Sequence, residues 1–300
     1  MQYLAPGSPY DHFVDPARAR PQIWRLILGM ITVVACYALG LIGIVMLVAV
    51  IAGPQYLTEF LTNLELGVPL GPTGTLLLLA TFLGMALGPM LAVTLLHKRQ
   101  MRTLFGAIPR TLRHFLVAMV VCALAYALSF FLSSSTDLTA GTSPTIWLSF
   151  LPLALVGVLL QTGAEEILFR GYIQQQLAAR FRSAIVWMVL PSVLFGALHW
   201  QPAMMGDNAI YVVAAATLFG LLAADLTAKT GSIGAAWGFH FANNVVAILI
   251  VSLDGPLSGL ALYTATLDAA SPEIRPLILL DMGTTLVTWL IIRTVVTRIP

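Results

Sequence analysis

The stretch Ile146-Trp-Leu-Ser-Phe-Leu-Pro-Leu-Ala-Leu-Val-Gly-Val-Leu-Leu-Gln-Thr-Gly-Ala-Glu-Glu-Ile-Leu-Phe-Arg170 runs without a charge from 146 to 164 and then meets two adjacent glutamates. A helix of ~20 apolar residues crosses the ~30 Å hydrocarbon core of a bilayer, so the run reads as a membrane helix. Glu165 and Glu166 then sit where a carboxylate costs several kcal/mol to bury, and such residues mark sites by default. Two later apolar segments supply His199 and the pair His240 and Asn244. Carboxylates, imidazoles and an amide on separate apolar helices suggest a polar centre within the bilayer.

The whole chain supports that environment. Hydrophobic residues make up 59% of 300, charged residues 9%, and mean hydropathy is +0.91. A soluble domain carries about 25% charged residues. The expected fold is therefore all-α, a polytopic membrane bundle of about eight transmembrane helices. A net charge of +2 gives no reason to expect a nucleic-acid partner. Cys36 and Cys122 fall in apolar segments and form neither a disulfide framework nor a thiolate metal motif. The first apolar run begins near Ile23 and is too long for a signal-peptide core, so it reads as a retained helix.

Eight segments qualify as spans, near 26–51, 75–97, 115–134, 146–166, 183–200, 208–228, 232–252 and 276–296. The chain divides into a cytoplasmic tail (1–22), N-terminal membrane helices (23–134), a core (146–252), and a connector with a last helix (253–300). The connectors 52–74 and 253–275 have room for short interfacial helices. Basic residues fill alternate connectors: Arg18, Arg20 and Arg25, then Lys98, Arg99 and Arg102, Arg180 and Arg182, Lys229, and Arg293 and Arg298. Glu59, Glu65, Asp137, Asp207, Asp254, Asp268 and Glu273 occupy the others, where Arg275 is the basic exception. The positive-inside rule then places both termini in the cytoplasm. Gly84 and Gly88 form a GxxxG step suited to close helix packing.

Helical spacing sorts the polar residues. Glu166 and Arg170 are four apart and share a face, whereas Glu165 is turned away by ~100°. Glu166 is thus the neutralised structural carboxylate and Glu165 the free, reactive one. The plainer alternative is that both cap the cytoplasmic end of the helix. Phe195 and His199 also share a face, as do His240 and Asn244. Singly, His199 reads equally as interfacial, and His240 with Asn244 as helix–helix contacts. Asn243 points to a neighbouring helix. Asp225 pairs locally with Lys229, Ser232 caps a helix, and Asp281 stays outside the site. Taken together, Glu, two His and Asn suit amide hydrolysis, which needs a base for water and donors for the oxyanion.

In this order, Glu165-Glu166-x-x-x-Arg170, Phe195-x-x-x-His199 and His240-x-x-x-Asn244 resemble the CPBP family. These are the CAAX-protease and bacteriocin-processing intramembrane endopeptidases, also called Abi proteins. The resemblance spans roughly 146–252. It implies a helical protease with a cavity open to the cytosol. Glu165 would be the base, acting with His199 on water, and His240 and Asn244 would bind the oxyanion. Glu166 and Arg170, with Phe195, would support the site. The partners implied are a peptide or protein substrate and membrane lipid, with no nucleic acid. Two mechanisms stay open: a zinc or other divalent metal held by Glu165, His199, His240 and Asn244, or a metal-free glutamate reaction. Two other functions stay open as well, a non-catalytic scaffold of the same fold and a proton-coupled transporter. Counting residues along straight helices sets Glu165 and His199 near opposite faces, so convergence requires a bend at Pro191 or a turn within 171–182.

Overall fold

The computed structural model describes residues 3–132, 138–265 and 267–299. Asp137 and the last two residues of the expected 115–134 span lie outside the described residues. In chain order the helices are α1 (Pro9–Arg18), α2 (Ile23–Ile51), α3 (Gly53–Glu65), α4 (Gly71–Ala80), α5 (Phe82–Leu95) and α6 (Ile108–Leu132). They continue with α7 (Pro144–Glu166), α8 (Gln175–Arg180), α9 (Leu190–Ala197), α10 (Pro202–Met205), α11 (Ala209–Thr230), α12 (Gly234–Val245) and α13 (Arg275–Val296).

The protein is an all-α polytopic bundle. Six helical runs among the described residues are long and apolar enough to cross a membrane: Ile23–Ile51, Gly71–Leu95, Ile108–Ser129, Pro144–Arg180, Pro202–Thr230 and Pro272–Val296. The fifth and seventh expected spans are shorter apolar helices, Ile185–Ala197 and Gly234–Ile250. α12 packs against α6, α7 and α11, and a helix enclosed by protein need not match the width of the lipid. α3 occupies the 52–74 connector as a short helix of its own.

α2 and α5 pack closely because α5 is small where they cross. A methyl added at Gly84 would strike the Cys36 carbonyl, and one at Gly88 would lie 2.6 Å from Val33 Cα. The GxxxG step is therefore a packing device.

The first 22 residues are not a free tail. Tyr10, Phe13, Val14 and Ala17 recur at helical spacing, and all four are buried. α1 lays this stripe against α8 and α11. Tyr10, Phe13 and Val14 join the main hydrophobic core.

The largest correction concerns residues 171–182. They form no interfacial turn. α7 runs on through a wide π-helical segment, Ile167–Gln174, into α8, so Pro144–Arg180 is one 37-residue helix. Four of its polar residues, Arg170, Gln174, Gln175 and Gln176, are buried and bonded to the backbone of other elements. Arg170 donates to Gly220 O at 3.2 Å, Gln174 to Ala224 O at 3.1 Å, and Gln176 to Arg20 O at 2.8 Å. Gln175 donates to both Phe13 O and Thr103 O. Glu165 consequently lies roughly 20 Å from the Arg180 end. A second π turn, Ile185–Val189, precedes Pro191. It accommodates a residue that lacks an N–H and crowds the carbonyl four residues back.

The basic connectors meet at one end of the bundle. Arg25 reaches Leu96 O, Arg110 lies near Thr230 O, and Gly106 bridges to Ser232. Asp225 joins this region through Arg293 at 2.8 Å, Trp289 at 3.0 Å and the Tyr3 hydroxyl. The expected local pair with Lys229 does not form, because Asp225 faces α13. Ser232 is no cap either. Ile233 holds that position, and the buried Ser232 hydroxyl has no partner among the described residues.

At the opposite end three short strands form a small sheet that the all-α expectation did not include. β1 (Leu138–Ala140) runs antiparallel to β3 (Tyr263–Ala265), with Leu138 opposite Ala265. β2 (Val251–Leu253) runs parallel to β3, with Val251 opposite Tyr263.

Candidate active site

The site forms where α7, α9, α12 and α13 face one another. α12 approaches α7 closely because Gly163 leaves room for Trp237. A methyl at Gly163 would sit 2.7 Å from the indole, whose N–H donates to Thr162 Oγ1 at 3.2 Å. This contact places His240, three residues beyond Trp237, opposite the glutamate pair.

Glu166 is wholly buried and held from two sides. Arg170 Nη1 lies 3.0 Å from its Oε1, and the two side chains are 1% and 0% exposed. His240 Nδ1 lies 2.8 Å from the same oxygen. Because a carboxylate accepts, the proton of His240 sits on Nδ1, which leaves Nε2 toward the cavity. There Nε2 lies 3.4 Å from Glu165 Oε2, with Glu165 13% exposed. Glu165 is thus not free, as spacing on its own helix implied. A tertiary neighbour occupies its face.

His199 lies just beyond the end of α9. Its Nδ1 donates to Phe195 O at 2.9 Å, so its neutral ring also presents Nε2 as a lone pair. No hydrogen bond or ion pair joins His199 to Glu165 in the described structure. Phe195 connects the parts. Its ring centroid lies 4.9 Å from that of His199 and 6.0 Å from that of His240, and Arg170 Cζ is 5.0 Å away over its face. A guanidinium within ~6 Å of an aromatic face is attracted to it.

Asn244 Nδ2 donates to Gln161 Oε1 at 2.8 Å, which fixes the orientation of the amide. Gln161 lies one turn before Glu165, and its place in the site went unread in the sequence. Asn243 does bond a neighbouring helix, through the Tyr126 hydroxyl, but it also faces the cavity.

One cavity of about 260 Å³ is lined by Glu165, His199, His240 and Asn244 together, with Gln161 and Phe195. The four residues expected to work jointly thus share a wall. The continuous helix through Arg180 and the π turn before Pro191 bring about this convergence. Asp281 and Thr285 of α13 line the same cavity, so Asp281 is not outside it. A second cavity of about 460 Å³ shares Glu165, His199, Asn244, Gln161 and Phe195 and is otherwise mostly apolar, walled by Leu78, Leu79, Phe82, Met85 and Leu198.

Residues 146–246 match the family model described as type II CAAX prenyl endopeptidase Rce1-like. The similarity covers residues 146–246 of the 300. All seven residues of the three motifs, Glu165 to Asn244, fall inside the Rce1-like segment, whereas Asp281 falls outside it. The chain is also 28% identical over 273 residues to "Uncharacterized protein YyaK" of Bacillus subtilis (strain 168). That similarity covers 85% of this chain and 88% of the relative. No solved structure matches the chain.

A metal was one reading of the Rce1-like motifs. Glu165, His199 and His240 offer suitable donor types, but among the described residues no three His, Cys, Asp or Glu side chains converge to hold an ion. The Asn244 amide nitrogen donates to Gln161, and its Oδ1 accepts from Asn243 Nδ2 at 3.2 Å.

Proposed function

We propose that this integral multi-pass membrane protein is an intramembrane endopeptidase that cuts a membrane-associated or cytosol-facing peptide or protein by water activated at Glu165. The observation that carries this reading is the single cavity shared by Glu165, His199, His240 and Asn244. The Rce1-like match supports the same class of activity.

In the proposed reaction, Glu165 removes a proton from a water molecule that His199 Nε2 helps to orient. The water oxygen adds to the scissile carbonyl carbon, and the carbonyl π electrons move to oxygen. The amide hydrogen of Asn244 not given to Gln161 faces the developing oxyanion, while the proton taken up by Glu165 is held between its Oε2 and His240 Nε2, 3.4 Å apart. Preorganised donors of this kind lower such barriers by about 3 kcal/mol each. When the intermediate collapses, the C–N bond breaks and Glu165 delivers its proton to the departing nitrogen. Arg170 and Glu166 hold His240 in register and touch no reacting atom. The apolar second cavity suits a substrate with a hydrocarbon-rich segment beside the bond. CAAX-type processing and bacteriocin-type maturation or immunity both supply such substrates. In this reading the basic end of the bundle, with both termini, faces the cytosol.

The direct test is digestion of a synthetic peptide library by the purified full chain in detergent micelles, with products read by mass spectrometry. Internal cuts that depend on the enzyme support the reading. An intact library, alongside a protein that stays folded, contradicts it.

A further inference from the structure

We infer that Asp281 selects substrates carrying a positively charged side chain close to the scissile bond, an inference that rests on the endopeptidase reading above. Asp281 lies on α13, within a membrane-crossing run, and lines the same cavity as Glu165 and His240. Its carboxylate makes no hydrogen bond or ion pair with any described residue, although Arg293 on the same helix is engaged by Asp225. A carboxylate left unpaired in an apolar span and directed at a polar cavity marks a functional role rather than a packing role.

The charge balance of the cavity gives the sign of the ligand. Its lining includes two carboxylates, Glu165 and Asp281, and neither Lys nor Arg. The cations nearest in sequence to the motifs are already committed, since Arg170 is buried against Glu166. A cleft lined by charge of one sign, with low-dielectric walls, concentrates the opposite sign. Glu165 faces His240 Nε2 at 3.4 Å and is engaged in the proposed reaction, so Asp281 is the group left to pair with a substrate. Asn243 and Thr285 line the wall beside it and offer neutral hydrogen-bond partners to a lysine or arginine head group. The same wall disfavours acidic side chains by like-charge repulsion. Because Asp281 lies beyond residues 146–246, this preference belongs to this chain's own last helix rather than to its Rce1-like segment.

The experiment uses the purified full chain and a synthetic peptide library of known composition, with cut sites read by mass spectrometry against Glu165→Gln as the blank. The wild type is expected to cut sites with Lys or Arg within a few residues about fivefold above their library frequency, the gain a partly exposed charge pair supplies. Asp281→Asn should bring that ratio near one, and Asp281→Glu should keep it. The ratio is the readout, so a change in total rate does not confuse it. A wild type without basic enrichment, or an Asp281→Asn protein that retains it, overturns the inference. If the wild type cuts no more than Glu165→Gln, the endopeptidase reading fails, and a binding measurement then decides the inference separately. Thermal unfolding of Glu165→Gln is followed with decapeptides that differ only in lysine or norleucine. Greater stabilisation by the lysine peptide, lost in Glu165→Gln/Asp281→Asn, supports the inference, and equal stabilisation by both overturns it.

Discussion

His240 stands between the two adjacent glutamates, with Nδ1 2.8 Å from Glu166 Oε1 and Nε2 3.4 Å from Glu165 Oε2. A neutral imidazole has one N–H, and Glu166 takes it. Two acceptors then face each other at Nε2 and Glu165 unless a further proton lies between them. His240 thereby couples a buried carboxylate that cannot move to an accessible one that can exchange protons. Chain neighbours acquire different roles because one faces Arg170 and the other faces the cavity.

That division predicts opposite outcomes for two isosteric changes. Glu166→Gln leaves Arg170 buried without its counter-charge, and breaking such a pair costs about 3–5 kcal/mol. Its thermal midpoint in detergent should fall by several degrees. Glu165→Gln keeps the protein folded, with a midpoint close to wild type. Equal midpoints for Glu166→Gln and wild type would count against the buried pair as a support.

Helix packing gives a second prediction. Gly84 and Gly88 of α5 meet the backbone of α2 directly, whereas Gly43 of α2 has nothing within 4 Å of an added methyl. Overpacking costs about 1–3 kcal/mol, so Gly88→Val should lower the midpoint while Gly43→Ala leaves it unchanged. Similar midpoints for the two variants would contradict the close α2–α5 contact.

A third prediction concerns pH. His97 lies just beyond the α5 span, with Nδ1 donating to Arg20 O at 3.1 Å and Nε2 3.0 Å from the Tyr172 hydroxyl. Burial first, and then the charges of Arg99, Arg25 and Arg20, push its pKa down from 6.5 to about 4. The folded state therefore binds fewer protons than the unfolded state between those values. Stability is full above about pH 6.5 and falls as the pH drops toward 4. Thermal midpoints across pH 4–8 should show this decline, and His97→Gln should flatten it. Parallel profiles for the two proteins would contradict the assignment.

Orientation is open to direct measurement. Arg18, Arg25, Arg102, Arg110, Arg180 and Arg293 all belong to one end of the bundle, where α1 and the end of α13 also lie. Tags at the two termini should be equally protected in sealed right-side-out vesicles and equally digested in inverted ones. One protected and one digested tag in the same vesicles would refute an even number of crossings.

The motifs were legible wherever the partner lay on the same helix. Glu166 with Arg170 and Phe195 with His199 follow from a spacing of four residues alone. What the sequence hid depended on other helices. Gln174, Gln175 and Gln176 read as part of an interfacial turn, since nothing local reveals that Ala224, Phe13 and Arg20 offer them carbonyls. The contact of Glu165 with His240 was hidden for the same reason, because it is set by the fit of Trp237 over Gly163. The π segment that carries α7 into α8 leaves no periodic signal of its own. By contrast, the stripe Tyr10, Phe13, Val14 and Ala17 carries the spacing of a buried helix face within the segment expected as a tail.

The central claim is that Glu165 is the base that activates water. It is tested most directly by comparing hydrolysis of a cleaved library peptide by wild type and Glu165→Gln at matched thermal midpoints. Removing a general base costs about 10²–10⁴-fold in rate, so turnover by Glu165→Gln should fall by at least about a hundredfold while the protein remains folded. Turnover by folded Glu165→Gln within a few-fold of wild type would contradict the account.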